Sequence, residues 1–211
     1  MTHVLIFGDS ITYGAWDKEG GWAKRLRNFL DEKQLSDSNI CYTTYNLGIS
    51  GDNTDDLLKR FDFETERRLD EGEETIFIFA IGINDCQFLH KENRFRIEER
   101  KFKENIQKLI MSANIVSSKI LFVGLTPVDE SKTIPIPWNT NKSYKNEYVE
   151  KYNEMIKSIC KENNILFIEI FENWLKLDYK KILEYGLHPN TEGHQKLFEI
   201  VRDYLIEKNL I

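Results

Sequence analysis

The chain has 211 residues, a net charge of −6, and enough apolar side chains (41%) to build a sizeable core. An acidic balance with no run of basic residues and interleaved aromatics argues against a nucleic-acid binder. Cys41, Cys86 and Cys160 form no CxxC pair, which argues against a zinc or dithiol site and a disulfide framework. The N-terminal apolar run, Val4–Phe7, is too short for a signal-peptide core or a membrane span. The expectation is a cytoplasmic protein, 1–211 forming one domain.

In chain order, short apolar runs alternate with amphipathic stretches. Val4–Phe7 ends at Gly8 and reads as a strand; Trp22–Leu30 has helical spacing. Tyr42–Leu47 is a second strand, and Leu57–Leu69 a helix entered from Asn53/Thr54. Thr75–Ile81 is the strongest strand, followed by a helix over Phe102–Ile115. Lys119–Val123 and Ile165–Phe171 complete the strands, with helices at Tyr144–Lys161 and Asn190–Glu207. Strands apolar throughout are buried on both faces, and their alternation with helices implies right-handed crossovers. The pattern predicts a three-layer α/β/α fold on a parallel sheet of about five strands. Residues 129–143 read as one long loop, either a surface excursion or a lid over the substrate.

Sites in such sheets lie outside the carboxyl ends of the strands. Those ends carry Gly8-Asp9-Ser10, the stretch Asn46–Thr54, Gly82–Asp85, and Gly186–Asn190 ahead of the last helix. Ser10 offers a nucleophile, His188 a base, and the two-glycine backbone of 46–54 and the Asn84 amide offer oxyanion donors, which together meet the requirements of acyl transfer. Each has a plainer reading as a turn or cap residue. Asp9 and Asp85 read as turn-bracing residues. His194 reads as structural or surface, because its spacing from His188 is not that of a helical metal pair. No metal and no cofactor are expected.

The blocks F-G-D-S-I-T, S-G-D-N-T, G-I-N-D and G-L-H-P-N resemble, in order and spacing, the four blocks of the SGNH hydrolases, the GDSL esterase/lipase family. The resemblance implies a flavodoxin-like fold, Ser10 as nucleophile and His188 as base. It also implies an oxyanion hole made by the backbone N–H groups of Ser10 and Gly51 and the side chain of Asn84. The implied reaction is hydrolysis of a small-molecule ester, with short-chain esters and O-acetyl groups on carbohydrate favoured. Trp138, Tyr144 and Tyr185 are candidates to line the substrate site.

One position departs from the pattern. The family's last block is D-x-x-H, and Tyr185 stands where its aspartate belongs. A phenol cannot supply the negative charge that stabilises an imidazolium. Three readings follow: Glu184 acts as the acid, a backbone carbonyl accepts the Nδ1 proton in a Ser-His dyad, or the site is degraded. Asp178 is a more distant acid candidate. The degraded site would make the chain a protein that binds acylated or carbohydrate ligands without turnover. A metal-dependent phosphoesterase would need His/Asp clusters that the sequence lacks.

Overall fold

The computed structural model describes residues 1–211. Five parallel strands form one sheet: β1 (Thr2–Gly8), β2 (Tyr42–Gly48), β3 (Glu74–Ala80), β4 (Ile120–Val123) and β5 (Leu166–Ile168). Their order is β2-β1-β3-β4-β5. Val4–Phe7 and Ile76–Phe79 are fully buried, as expected for strands covered on both faces. The five long helices are α1 (Gly21–Ser36), α2 (Thr54–Glu66), α3 (Glu99–Val116), α4 (Asn146–Glu162) and α5 (Thr191–Glu207). Helix α1 packs on α5, whereas α2 packs on α3 and α3 on α4. In α3 the buried residues Phe102, Ile106, Leu109, Ile110 and Ala113 recur at the three- and four-residue spacing of one helix face. Phe7, Phe61, Phe77 and Phe79 pack ring against ring in the core.

Most predicted elements lie within a few residues of their observed bounds, although the first helix runs on to Ser36 rather than Leu30; two further departures bear on the site's surroundings. The fifth strand stops at Ile168 rather than Phe171. The Glu169 carboxylate accepts the Glu172 N–H, and its carbonyl accepts from Asn173 Nδ2. These bonds turn the chain into the short helix Phe171–Leu175, which buries Phe171 and Trp174. Nor are residues 129–143 a structureless loop. Asp129 caps the short helix Glu130–Thr133, and Lys142–Ser143 pairs with Phe88–Leu89. That pairing needs a partner distant in sequence, so local patterning did not reveal it.

Candidate active site

Ser10 opens a short helical turn, Ser10–Tyr13, directly after β1. Asp9 caps that turn by accepting the Ile11 N–H at 2.9 Å. Asn46 Nδ2 donates to Thr12 O at 2.9 Å, tying the turn to β2. A Cβ on Gly48 would lie 2.3 Å from the Tyr13 nitrogen and 2.8 Å from the Asp9 carbonyl oxygen. Only glycine there lets the strand end approach the serine turn so closely.

The last long helix is capped by Asn190, whose side chain accepts the Gly193 N–H at 3.1 Å. Just before it, His188–Pro189 pairs antiparallel with Leu183–Glu184 in a tight hairpin. The hairpin delivers the ring to the serine: His188 Nε2 is 2.9 Å from Ser10 Oγ. Two residues 178 positions apart thus meet at the sheet's carboxyl edge.

His188 Nδ1 is buried and has no hydrogen-bond partner in the protein. Glu184 is exposed, and its carboxylate makes no bond to the ring; Asp178 pairs instead with Lys181 at 2.7 Å. No backbone carbonyl accepts from Nδ1 either. Burial, with a smaller effect from His194, pushes the His188 pKa down to about 4. The ring is therefore neutral at pH 7, the form that accepts a proton from Ser10. The resulting imidazolium has no nearby carboxylate to stabilise it.

Gly51 has φ +88° and open space around its Cα. It is needed there for its backbone angle rather than for room. Its loop is held from three sides. Ile49 N–H donates to Gly8 O at 3.1 Å, Arg60 pairs with Asp52 at 2.8 Å, and Asn84 Nδ2 donates to Asp52 O at 2.9 Å. Tyr144 Oη donates to Asn84 Oδ1 at 3.0 Å and accepts from Gln87 Nε2 at 2.6 Å. This chain fixes which end of the Asn84 amide is the donor and leaves one of its N–H bonds free.

Asp9 and Asp85 are both buried, and burial raises each carboxyl pKa to about 7. Asp85 does more than brace its own turn. It accepts from Thr54 N at 3.1 Å and from Thr54 Oγ1 at 2.5 Å. It thereby anchors the start of α2 beside the Gly51 loop. His194 is fully buried, not at the surface. Its Nδ1 accepts the Trp22 N–H at 3.3 Å and its Nε2 donates to Ala15 O at 3.3 Å. Burial of Asp17 raises its pKa, but bonds from Arg25 and from the Glu19 and Gly21 N–H groups outweigh this and hold the carboxyl ionised. Together His194 and Asp17 fix the loop that carries Trp16.

Ser10 and His188 open on a cavity of about 560 Å³, with Gly51 and Asn84 also on its wall. Of the three residues expected to line the substrate site, all reach the cavity, but Tyr144 is buried and its hydroxyl is engaged by Asn84 and Gln87. Trp138 and Tyr185 are 56% and 47% exposed. The Tyr185 ring meets Trp138 edge-on at 6.2 Å and Trp16 at 5.1 Å; Trp16 in turn lies 6.3 Å from the His188 ring. Trp16 was missed in the sequence. Its only signal is a tryptophan six residues after the candidate nucleophile in a Gly-rich turn. The chain's one grouping of possible metal-ligating side chains, Glu154, Glu169 and Glu172, lies elsewhere. Lys157 Nζ reaches all three carboxylates, at 3.1, 3.0 and 3.1 Å. No helix is long and apolar enough to cross a membrane.

The fold is shared with proteins of known structure. Over 92% of its length the chain is 25% identical, across 226 aligned positions, to a multidomain esterase of Ruminococcus flavefaciens; it spans 27% of that protein's length. The structure superposes with a TM-score of 0.75 on a lipase/acylhydrolase from Enterococcus faecalis, covering 99% of this chain and 97% of that one at 19% identity. An acetyl xylan esterase from Geobacillus stearothermophilus superposes with a TM-score of 0.68, covering 97% and 93% at 21% identity. At such identities these structures speak to the fold. The sequence model of the GDSL-like lipase/acylhydrolase family matches residues 6–196, nearly the whole chain, and so this chain belongs to that family.

Proposed function

We propose that the chain is a serine carboxylic ester hydrolase acting on short acyl groups, with O-acetyl groups on carbohydrate as the favoured substrate class. The observation that carries this reading is the 2.9 Å contact of Ser10 Oγ with His188 Nε2 at the wall of an open cavity. His188 takes the Ser10 proton as Oγ attacks the ester carbonyl, and then protonates the departing alcohol. The oxyanion is received by the N–H groups of Ser10 and Gly51 and by the free N–H of Asn84. Water then attacks the acyl-enzyme with the same base. The exposed rings of Trp16, Trp138 and Tyr185 offer flat apolar faces against which the C–H face of a sugar can stack. The multidomain esterase relative supports ester hydrolysis, and the acetyl xylan esterase of the same fold supports acetyl groups on carbohydrate as the substrate class.

The histidine acts here in a dyad, without a carboxylate partner. The first test is the initial rate of p-nitrophenyl acetate and butyrate hydrolysis for the wild type beside Ser10→Ala. Turnover no faster than in Ser10→Ala would sink the esterase reading and favour a ligand-binding protein. In the same assay Tyr185→Asp is expected to gain about 10-fold or more in kcat, within the roughly 10⁴ that an acid contributes in serine proteases. Tyr185 has φ +52°, a conformation aspartate tolerates better than tyrosine. Glu184→Gln should leave the rate within about 2-fold, because a lost acid would cost on the order of 10⁴.

The pH profile gives an independent check. His188 must be neutral to act as base, and its protonation is displaced down to about 4. The acid limb of kcat/KM should therefore fall as pH drops through about 4, not through the ordinary histidine value near 6.5. A limb centred near 6.5 would show that the ring is more hydrated or better partnered than this structure has it. The unfolded chain binds a proton at His188 between about pH 6.5 and 4 that the folded chain refuses, so this group's contribution to stability is lost as pH falls through that window.

A further inference from the structure

We infer that the ester held at this site carries a carboxylate, received by Arg96 and Lys142; the inference rests on the esterase reading above and narrows its substrate class. The chain has 35 acidic against 29 basic residues, so an average patch of its surface is negative. The wall of the cavity that contains Ser10 and His188 reverses that sign. It includes Arg96 and Lys142 and no aspartate or glutamate.

Both cations are positioned by backbone. Lys142 pairs with Leu89 in the small sheet, donates its N–H to Asn139 O at 3.0 Å, and accepts the Ile136 N–H at 2.9 Å. Arg96 donates its N–H to Gln87 O at 2.8 Å. Neither charged end is fully engaged by the protein. Lys142 belongs to no ion pair, whereas Lys132, Lys151 and Lys157 reach carboxylates. The Arg96 guanidinium has one contact, to Asp56 at 3.6 Å, which leaves most of its five donors free.

A neutral acetyl ester has no use for either charge. In a cleft with apolar walls, an unpaired lysine and an arginine held by a single long ion pair concentrate the field and raise the local concentration of anions. A carboxylate suits the pair, since a guanidinium accepts it through two parallel N–H bonds and the ammonium adds a third donor. The nearby backbone N–H of Gly51 is committed, on the esterase reading, to the oxyanion. A carboxylate on the alcohol side describes an esterified sugar acid; one on the acyl side describes a half-ester of a dicarboxylic acid.

Two matched pairs of probes separate these sources. 4-Acetoxybenzoate against its methyl ester places the charge on the alcohol. Mono-4-nitrophenyl succinate against 4-nitrophenyl butyrate places it on the acyl group. The readout is the ratio of kcat/KM for the acidic probe to that for the neutral one, which cancels general damage to the site. In Lys142→Gln and Arg96→Gln the ratio should fall about 10-fold or more for one pair, the size of a charge-assisted hydrogen bond. The loss should lie chiefly in KM, and added salt should weaken the wild-type ratio. Lys108→Gln, on an exposed position of α3, should leave the ratio alone. Ratios unmoved for both pairs in Lys142→Gln, a partly exposed residue whose replacement threatens the fold little, would overturn the inference. Ser10-dependent turnover with unmoved ratios defeats the charge inference alone, whereas turnover that survives Ser10→Ala defeats the esterase reading beneath it.

Discussion

Ser10→Ala, His188→Ala and the double variant are expected to hydrolyse p-nitrophenyl acetate at one common residual rate. On the mechanism proposed above the two residues act as a unit: the hydroxyl is a poor nucleophile until Nε2, 2.9 Å away, accepts its proton. Removing either therefore removes the whole contribution, and the second substitution adds nothing. The size of the loss depends on what His188 lacks. In a protease with a complete triad, nucleophile or base is worth roughly 10⁶, and the acid roughly 10⁴ of turnover. Here Nδ1 has no partner and burial disfavours the imidazolium, so part of that advantage is already absent. The expected loss is on the order of 10²–10⁴. Losses that multiply in the double variant would mean that Ser10 and His188 act in separate steps. Burst kinetics with a slowly hydrolysed ester would show the acyl-enzyme directly.

Asn84→Ala should cost about 10²–10³ in kcat with little change in KM, the usual effect of removing one oxyanion donor. Its amide is placed for that task by bonds on both ends: Asp52 O accepts from Nδ2, and Tyr144 Oη donates to Oδ1. Tyr144→Phe keeps the ring in its buried slot and deletes the donor to Oδ1. The amide then loses the bond that fixes its orientation, and kcat should fall by a smaller factor, about 10-fold, the worth of one hydrogen bond. A Tyr144→Phe variant that loses affinity instead, raising KM at constant kcat, would return Tyr144 to the substrate-contacting role expected of it from sequence. Burial pushes the Tyr144 pKa far above the ordinary phenol value, against a smaller lowering by the Gln87 bond, so it remains a donor across the whole working range of pH.

The architecture follows from periodicity that the chain carries locally. Val4–Phe7 and Thr75–Ile81 are apolar at every position and too short for helices, so they are legible as buried parallel strands. Helices such as α3 show their apolar stripe in the sequence. The serine, the asparagine and the histidine could be named because each follows a strand or precedes a helix, and parallel topology gathers those ends on one edge; Gly51 is singled out from the two glycines of its loop by the family resemblance. Less regular features gave weaker signals. The strand after Cys160 stops early because Glu169 bonds to its own following turn, a side-chain choice that hydropathy does not record.

Other properties exist only in three dimensions. Tyr144 and Trp138 read alike as aromatic residues near a loop, but one is sealed behind Asn84 and the other stands open at the cavity. Trp16 joins Tyr185 and His188 across more than 160 intervening residues, and pairing of strands distant in sequence brings both Arg96 and Lys142 to the lining of one cavity. The missing aspartate was visible as Tyr185 in the sequence. That neither Glu184 nor a carbonyl fills its place was not, because the reach of a side chain depends on the hairpin's backbone and on burial. Sequence alone determined the fold class and the order of the chemical groups, since both depend on local pattern. The tertiary structure decided which groups face the same space, how the histidine is protonated there and which charges remain unpaired, since these depend on distance and solvent exclusion.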